Sequence, residues 1–282
     1  MRLQQTIKRL LVAVLALMML LPAVAGAEDM LQVHQLQLGC ADGFLFQTDG
    51  KIVLIDGGRD TGHAPEVVLD YLTAMGVEKI DVHILSHYHM DHAGNVREIS
   101  ERFGHADTIV YGPSESLPEE FGSLPHGAYR QMQMGDAFTL GKTQFLCTGP
   151  AKLKKNGYDN LDSLNVLVTH GSRRMLFTGD FLPGESIPAF REELRKVDVL
   201  KFPHHGMKSL CVHDWVLKHV NAQIILIPGP MRYHVGNKTF ELNQHPDIYT
   251  NGDAHLVLLT DGERIEVHKN VPLEEALGLK MQ

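Results

Sequence analysis

Cysteine is scarce in this chain. Only Cys40, Cys147 and Cys211 occur among 282 residues, and no two form a CxxC pair. So sparse and odd a set excludes a fold stapled by disulfides and leaves at least one thiol unpaired. Basic charge is also short: 26 Lys and Arg stand against 34 Asp and Glu, a net charge of −8. An acidic domain repels polyanions within a Debye length, and extended nucleic-acid binding draws its affinity from many cationic contacts to phosphate. Such binding is not expected here, although Lys152, Lys154 and Lys155 could form a local basic patch. Long apolar runs are lacking too. Leu10 to Leu21 has twelve residues, against the roughly 20 that a spanning helix needs. No linker, tandem repeat or low-complexity tract divides the chain, which reads as one domain with a sizeable core.

The twelve-residue run follows basic Arg2, Lys8 and Arg9 and precedes Ala25-Gly26-Ala27. This order reads as a secretory signal peptide over residues 1–27, with an uncleaved anchor as the alternative. No cysteine follows the run directly, which argues against a lipid anchor. The exported domain, 28–282, would carry a net charge of −11 after losing three basic side chains. No transmembrane segment would remain in it.

Within the domain the apolar spacing switches between period two and helical spacing. Strands are expected at Leu31–Leu38, Phe44–Phe46 and Lys51–Asp56, the last two joined by the hairpin signal Asp49-Gly50. Further strands are expected at Asp81–Ser86, Thr108–Tyr111, Phe138–Leu140, Thr143–Cys147, Leu164–Thr169, Met175–Thr178, Val199–Phe202, Ile224–Ile227, Leu256–Leu259 and Ile265–His268. Helices are expected at Ala64–Met75, Ala93–Phe103, Ile187–Val197 and Val212–Val220. Ser114–Arg130, rich in Pro, Gly, Ser and Glu, reads as a long loop. Arg173 and Arg174 read as a solvated hairpin tip, and Cys147 as a core residue.

The densest chemistry is Ser86-His87-Tyr88-His89-Met90-Asp91-His92, three histidines and an aspartate in seven residues after an apolar strand. Imidazole nitrogen and carboxylate oxygen suit zinc, manganese or iron. His87 and His89, two apart in extended chain, project to the same side. Asp91 and His92 follow where the chain turns, so they can face a second ion.

The segment resembles the first metal motif, HxHxDH, of the metallo-β-lactamase fold superfamily. Lys51-Ile52-Val53-Leu54-Ile55-Asp56-Gly57-Gly58 is similar to the family's LIDGG strand, and Arg174-Met175-Leu176-Phe177-Thr178-Gly179-Asp180 to its LLTGD strand. Leu200-Lys201-Phe202-Pro203-His204-His205-Gly206 resembles KxPHHG, typical of the ComEC-type DNA-uptake proteins and the related phosphorylcholine esterases. Asn160-Leu161-Asp162-Ser163-Leu164 and Asn243-Gln244-His245-Pro246 resemble that branch's NxxSL and GHP segments more loosely.

The resemblance implies an α/β fold, the four-layer αββα sandwich. With the signal segment it points to an exported hydrolase, and it implies two divalent ions, zinc with manganese as the alternative, that generate the attacking hydroxide. His87 and His89 would hold the first ion, Asp91 and His92 the second, and Asp180 would bridge both. Asp91, His204 and His205 are the catalytic candidates. One of His204 and His205 would complete the second site, while the other contacts substrate or donates a proton. Asp56 would orient the ligands; Ser163 and His245 are candidates for orienting or substrate contact, and Lys208, Ser209, Arg232 and Tyr233 for phosphate contact. His83 reads as a core histidine or one behind the ligands, and a late cysteine such as Cys211 ligates metal in some lactamases of this fold.

One departure stands out. Most of the superfamily has a further histidine between HxHxDH and GD, where this chain reads Cys147-Thr148-Gly149-Pro150. The first site would then be weaker, open, or completed by Asp162 or water. The missing histidine argues against a β-lactamase. The HHG branch favours a phosphodiester, in nucleic acid or a phosphorylcholine-type ester, and the acidic charge favours a small or anchored substrate. The rivals are an acyl, thioester or lactone hydrolase and a non-catalytic metal- or DNA-binding module. No oligomeric state follows from these residues.

Overall fold

The computed structural model describes residues 30–59, 64–207, 212–229, 247–250, 255–276, 279 and 281. The expected signal segment, and with it Lys208, Ser209, Cys211, Arg232, Tyr233 and His245, lies outside the described residues. Among the described residues, no helix is long and apolar enough to cross a membrane.

The described strands are β1 (Leu31–Gln35), β2 (Phe44–Thr48), β3 (Lys51–Ile55), β4 (Val82–Ile84), β5 (Ile109–Gly112), β6 (Ala128–Gln131), β7 (Ala137–Leu140), β8 (Thr143–Gly149), β9 (Asn165–His170), β10 (Arg173–Phe177), β11 (Val199–Lys201), β12 (Ile224–Ile227), β13 (Asp247–Thr250), β14 (His255–Thr260) and β15 (Ile265–Val271). The helices are α1 (Ala64–Ala74), α2 (Met90–Ala93), α3 (Val96–Phe103), α4 (Ser186–Ala189), α5 (Asp214–Val220) and α6 (Leu273–Ala276). One sheet runs β15-β14-β1-β2-β3-β4-β5-β6 and the other β13-β12-β11-β10-β9-β8-β7.

Alternation along the strands makes the layers. Phe44, Phe46, Val53 and Ile55 face the other sheet, while Leu45 and Leu54 between them face outward to α1 and α3. The inter-sheet core is keyed by Phe177, whose ring lies 5.0 Å from those of Phe44 and Phe46, edge to face. Truncating such a ring costs about 3–5 kcal/mol. Behind the second sheet, Val216, Leu217 and Val220 of α5 cover Leu176, Leu200 and Ile225. The result is the αββα sandwich.

Local expectations meet three corrections. Asp49 (φ +49°) and Gly50 (φ +70°) form the hairpin turn, but the helix expected over Ile187–Val197 stops at Ala189. The Arg174 guanidinium explains why. It collects the carbonyls of Glu192, Glu193, Arg195 and Lys196, which a helix would point along its own axis. Arg173 pairs with Asp198 at 2.8 Å. The two arginines therefore pin a turn segment rather than form a solvated tip. The loop expected over Ser114–Arg130 also gives up its end to β6, an edge strand parallel to β5.

Strands β3, β4 and β5 are parallel neighbours in one sheet, and β10, β11 and β12 in the other. Their carboxyl ends meet at one edge of the sandwich, where a parallel sheet presents its ligands.

Candidate metal centre

Six chain segments deliver side chains to this edge. After β3 the backbone turns at Asp56, φ +57°. Its carboxylate accepts from Ser86 N at 2.7 Å and Ser86 Oγ at 2.8 Å, and lies 2.9 Å from His92 Nδ1. That contact leaves His92 Nε2 pointing away, 3.2 Å from Asp180 Oδ1. After β4, His87 places Nδ1 by Ser86 Oγ at 3.1 Å and Nε2 at 3.8 Å from Asp180 Oδ2. His89 Nε2 is 3.2 Å from the Tyr158 carbonyl. A carbonyl only accepts, so Nε2 carries the proton and the Nδ1 lone pair remains.

After β10 comes Gly179, φ +54°, where a Cβ would lie 2.9 Å from Ser86 and Ser163. No side chain fits there, which explains glycine before the aspartate. Ser163, fully buried, accepts from Asp180 N at 3.0 Å and reaches His87 Nδ1 at 3.5 Å. It supports the site from behind, out of reach of substrate.

After β11, His204 and His205 both adopt φ +52°, a left-handed conformation that costs about 1–2 kcal/mol per residue. Alternation has ended there, so the two rings approach the same aspartate from different sides. His205 Nε2 lies 3.3 Å from Asp91 Oδ2 and 3.5 Å from Asp180 Oδ1, while His204 Nε2 lies 3.7 Å from Asp180 Oδ2.

Two compact groups result, His87/His89/Asp180 and Asp91/His92/His205. Asp180 offers one oxygen towards each. Among the buried atoms here, His87 Nε2, His92 Nε2, His205 Nε2 and Asp180 Oδ1 converge on one space and make no aligned hydrogen bond; His205 Nδ1 and Asp42 Oδ1 behind them, 3.2 Å apart, are an unaligned pair. An unmet buried polar atom costs about 1–3 kcal/mol, so four converging ones need a partner. Ligands about 2.0–2.2 Å from a tetrahedral zinc lie about 3.4 Å apart; the Nε2 to Asp180 separations of His87, His92 and His205 are 3.2 to 3.8 Å. The donor set fits divalent ions.

The electrostatics agree. Burial pushes His87 well below the ordinary imidazole value, with His92 adding to the effect, so its lone pair is available. Burial disfavours charge on His92 too, yet Asp180, Asp42 and Asp56 hold that ring well above its ordinary value. His205 is opposed by burial and raised by Asp42. Asp180 is resisted by burial and held well below the carboxylate range by His92, His205 and Lys201. The raised affinity of His92 and His205 for a proton means that protons and a divalent ion would compete for these rings.

Residues 41–218 match the sequence profile of the Metallo-beta-lactamase superfamily. The chain belongs to that superfamily. Among curated proteins it is 29% identical over 202 residues to "Recombination protein 2" of Haemophilus influenzae, covering 70% of this chain and 24% of that protein. It is 25% identical over 203 residues to "ComE operon protein 3" of Bacillus subtilis, covering 64% of this chain and 26% of that protein. The chain thus spans about a quarter of the length of these relatives. Among solved structures, a metallo-beta-lactamase fold protein from Bacillus subtilis superposes with a TM-score of 0.53 at 18% identity, covering 78% of this chain and 96% of that one.

The structure bears on what stands where the further histidine is missing. Asp162 does not complete the first group: its buried carboxylate accepts backbone N–H from Lys154, from Lys155 at 2.8 Å and from Gly157 at 2.8 Å. It ties down the 154–157 loop instead. His204, half-buried and held by Asn160 Nδ2 at 3.3 Å, faces the Asp180 oxygen of the first group. His83 is buried beside the Asp56 backbone and pushed down to about 4 by desolvation.

Two residues escaped sequence reasoning. Asp42, in the Gly39–Gly43 break, places Oδ1 3.2 Å from His205 Nδ1 and Oδ2 3.6 Å from His92 Nδ1. Lys201 forms a buried ion pair with it. The lysine was visible in KxPHHG, but the pairing exists only in three dimensions.

Proposed function

We propose that this chain is an exported, metal-dependent hydrolase that cleaves phosphodiester bonds in small or locally anchored substrates. The observation that carries the reading is the pair of His/Asp groups sharing Asp180 at the open edge of the sandwich. His87, His89 and Asp180 would hold one ion, and Asp91, His92, His205 and Asp180 the other, zinc or manganese. Bound there, such ions supply Lewis-acid charge and a water of lowered pKa.

The chain's own residues do the rest. Asp56 and Asp42 hold the Nδ1 sides of His92 and His205, keeping the Nε2 sides on the site. His204 is lowered by burial, which favours the neutral ring, whose N–H can hydrogen-bond a phosphoryl oxygen. At the rim, half-exposed Arg59 lies 3.6 Å from Asp91 Oδ2, a cation within reach of an anionic diester. A cleft of about 550 Å³ is lined by Tyr158, whose carbonyl contacts His89, and by Glu115, Glu119 and Glu120. Those carboxylates disfavour a continuing polyanionic strand, which supports a short or anchored substrate. One relative is named for recombination, and this favours a diester over an acyl substrate.

Metal-loaded protein assayed on bis-p-nitrophenyl phosphate, single-stranded DNA, a phosphorylcholine ester and nitrocefin tests the reading. Diester cleavage is expected, fastest on the small substrates. Nitrocefin turnover with no diesterase activity would overturn it.

A further inference from the structure

Four carboxylates, Asp42, Asp56, Asp91 and Asp180, crowd this edge, and Asp42 lies in two further groups compact enough for an ion: Asp42/Asp180/His205 and Asp42/Asp56/His92. A buried carboxylate is tolerated only when paired. Asp42 is 1% exposed, and so is Lys201. The Lys201 ammonium sits against Asp42, donates to the Gly179 carbonyl at 2.6 Å and lies 4.0 Å from Asp180 Oδ1. A lysine is a compact charge with three donors. Here it stands among the groups that would otherwise invite another cation.

The contacts are lopsided. Asp42 touches His92 and His205, both in the second group, and Lys201 holds Asp42 together with the turn that carries Asp180. His87 and His89 have no such tie to this pair among the contacts described. We propose that Lys201 and Asp42 are one positioning unit for the second metal. Lys201 neutralises Asp42, so that Asp42 orients the His205 ring by its Nδ1 side, 3.2 Å away, next to the His92 ring that Asp56 holds, instead of binding an ion itself. The inference rests on the two-ion reading of the site.

The test is chelator competition with zinc, with bound metal counted by elemental analysis, on the full chain, Lys201→Met, Asp42→Asn and the double variant. Removing an orienting partner of a metal ligand typically weakens binding about 10–100-fold. The unsubstituted chain should bind two equivalents. Each single variant should keep one equivalent at unchanged affinity and bind the other 10- to 100-fold more weakly. The double variant should lose no more than the worse single, because the unit is already broken. Melting of the metal-free proteins supplies the readout that a merely structural role would move alone. If Lys201→Met does not fold, the isosteric Asp42→Asn carries the test. Lower melting temperatures with both affinities unchanged would overturn the proposal, as would equal weakening of both sites or additive losses. Failure of the unsubstituted chain to bind two ions would instead refute the site reading beneath it.

Discussion

Gly179→Ala tests whether tight packing behind Asp180 sets the site. The substitution adds a Cβ at φ +54°, 2.9 Å from Ser86 Cβ, Ser86 Oγ and Ser163 Cβ. The left-handed backbone costs about 1–2 kcal/mol for a residue with a Cβ. Overpacking a filled interior adds about 1–3 kcal/mol. Both serines are buried and hydrogen-bonded, so neither can swing aside without releasing Asp56 or Asp180. The sum, about 2–5 kcal/mol, corresponds to roughly 4–20 °C in melting temperature for a domain of this size. Gly50→Ala is the control: φ is +70°, nothing lies within 4 Å of the added Cβ, and only the backbone cost of about 1–2 kcal/mol applies. Thermal melts and zinc titrations of both variants are the assay. Gly179→Ala should melt below the control and bind metal more weakly, since Ser86 supports Asp56 and His92 while Ser163 supports Asp180. Should it melt with the control and bind two ions as tightly as the unsubstituted chain, the packing argument fails.

Three further outcomes are expected. Burial pushes His34 down to about 3, against an unfolded value near 6.5, so its stabilising neutral form is complete above that value and its contribution is lost as pH falls towards 3. By linkage the loss at pH 5 is about 2 kcal/mol, so the stability gap between the unsubstituted chain and His34→Gln should narrow by that amount between pH 7.5 and 5; a constant gap in urea titrations contradicts it. Asp162→Ala removes the acceptor of three backbone N–H groups and should destabilise by about 2–3 kcal/mol with metal content unchanged, whereas loss of one equivalent would make Asp162 a ligand after all. Amino-terminal sequencing of protein recovered from its source should begin at Glu28, and an intact Met1 would refute the signal-peptide reading.

What was legible in the sequence was what local physics writes there. Period-two spacing in Phe44-Leu45-Phe46 and Val53-Leu54-Ile55 marked strands with two apolar faces. Asp49-Gly50 marked its turn, and HxHxDH with Gly179-Asp180 marked the site. Long-range competition hid the rest. Ile187–Val197 has helical spacing, but Arg174 draws its carbonyls outward. Asp162 is a plausible ligand by composition, yet nearby amides claim it first. The choice between His204 and His205 could not be read while alternation was assumed; two left-handed residues remove that assumption. Asp42 and Lys201 are 159 positions apart, and no periodicity links them; the pairing of the two sheet edges does.

The central claim is that two ions sit on either side of Asp180. Anomalous diffraction from zinc-loaded crystals tests it most directly. The account predicts two peaks per chain, one ligated by His87, His89 and Asp180, the other by Asp91, His92, His205 and Asp180. A single peak, or a peak ligated by Asp42 in place of Asp180, would contradict it.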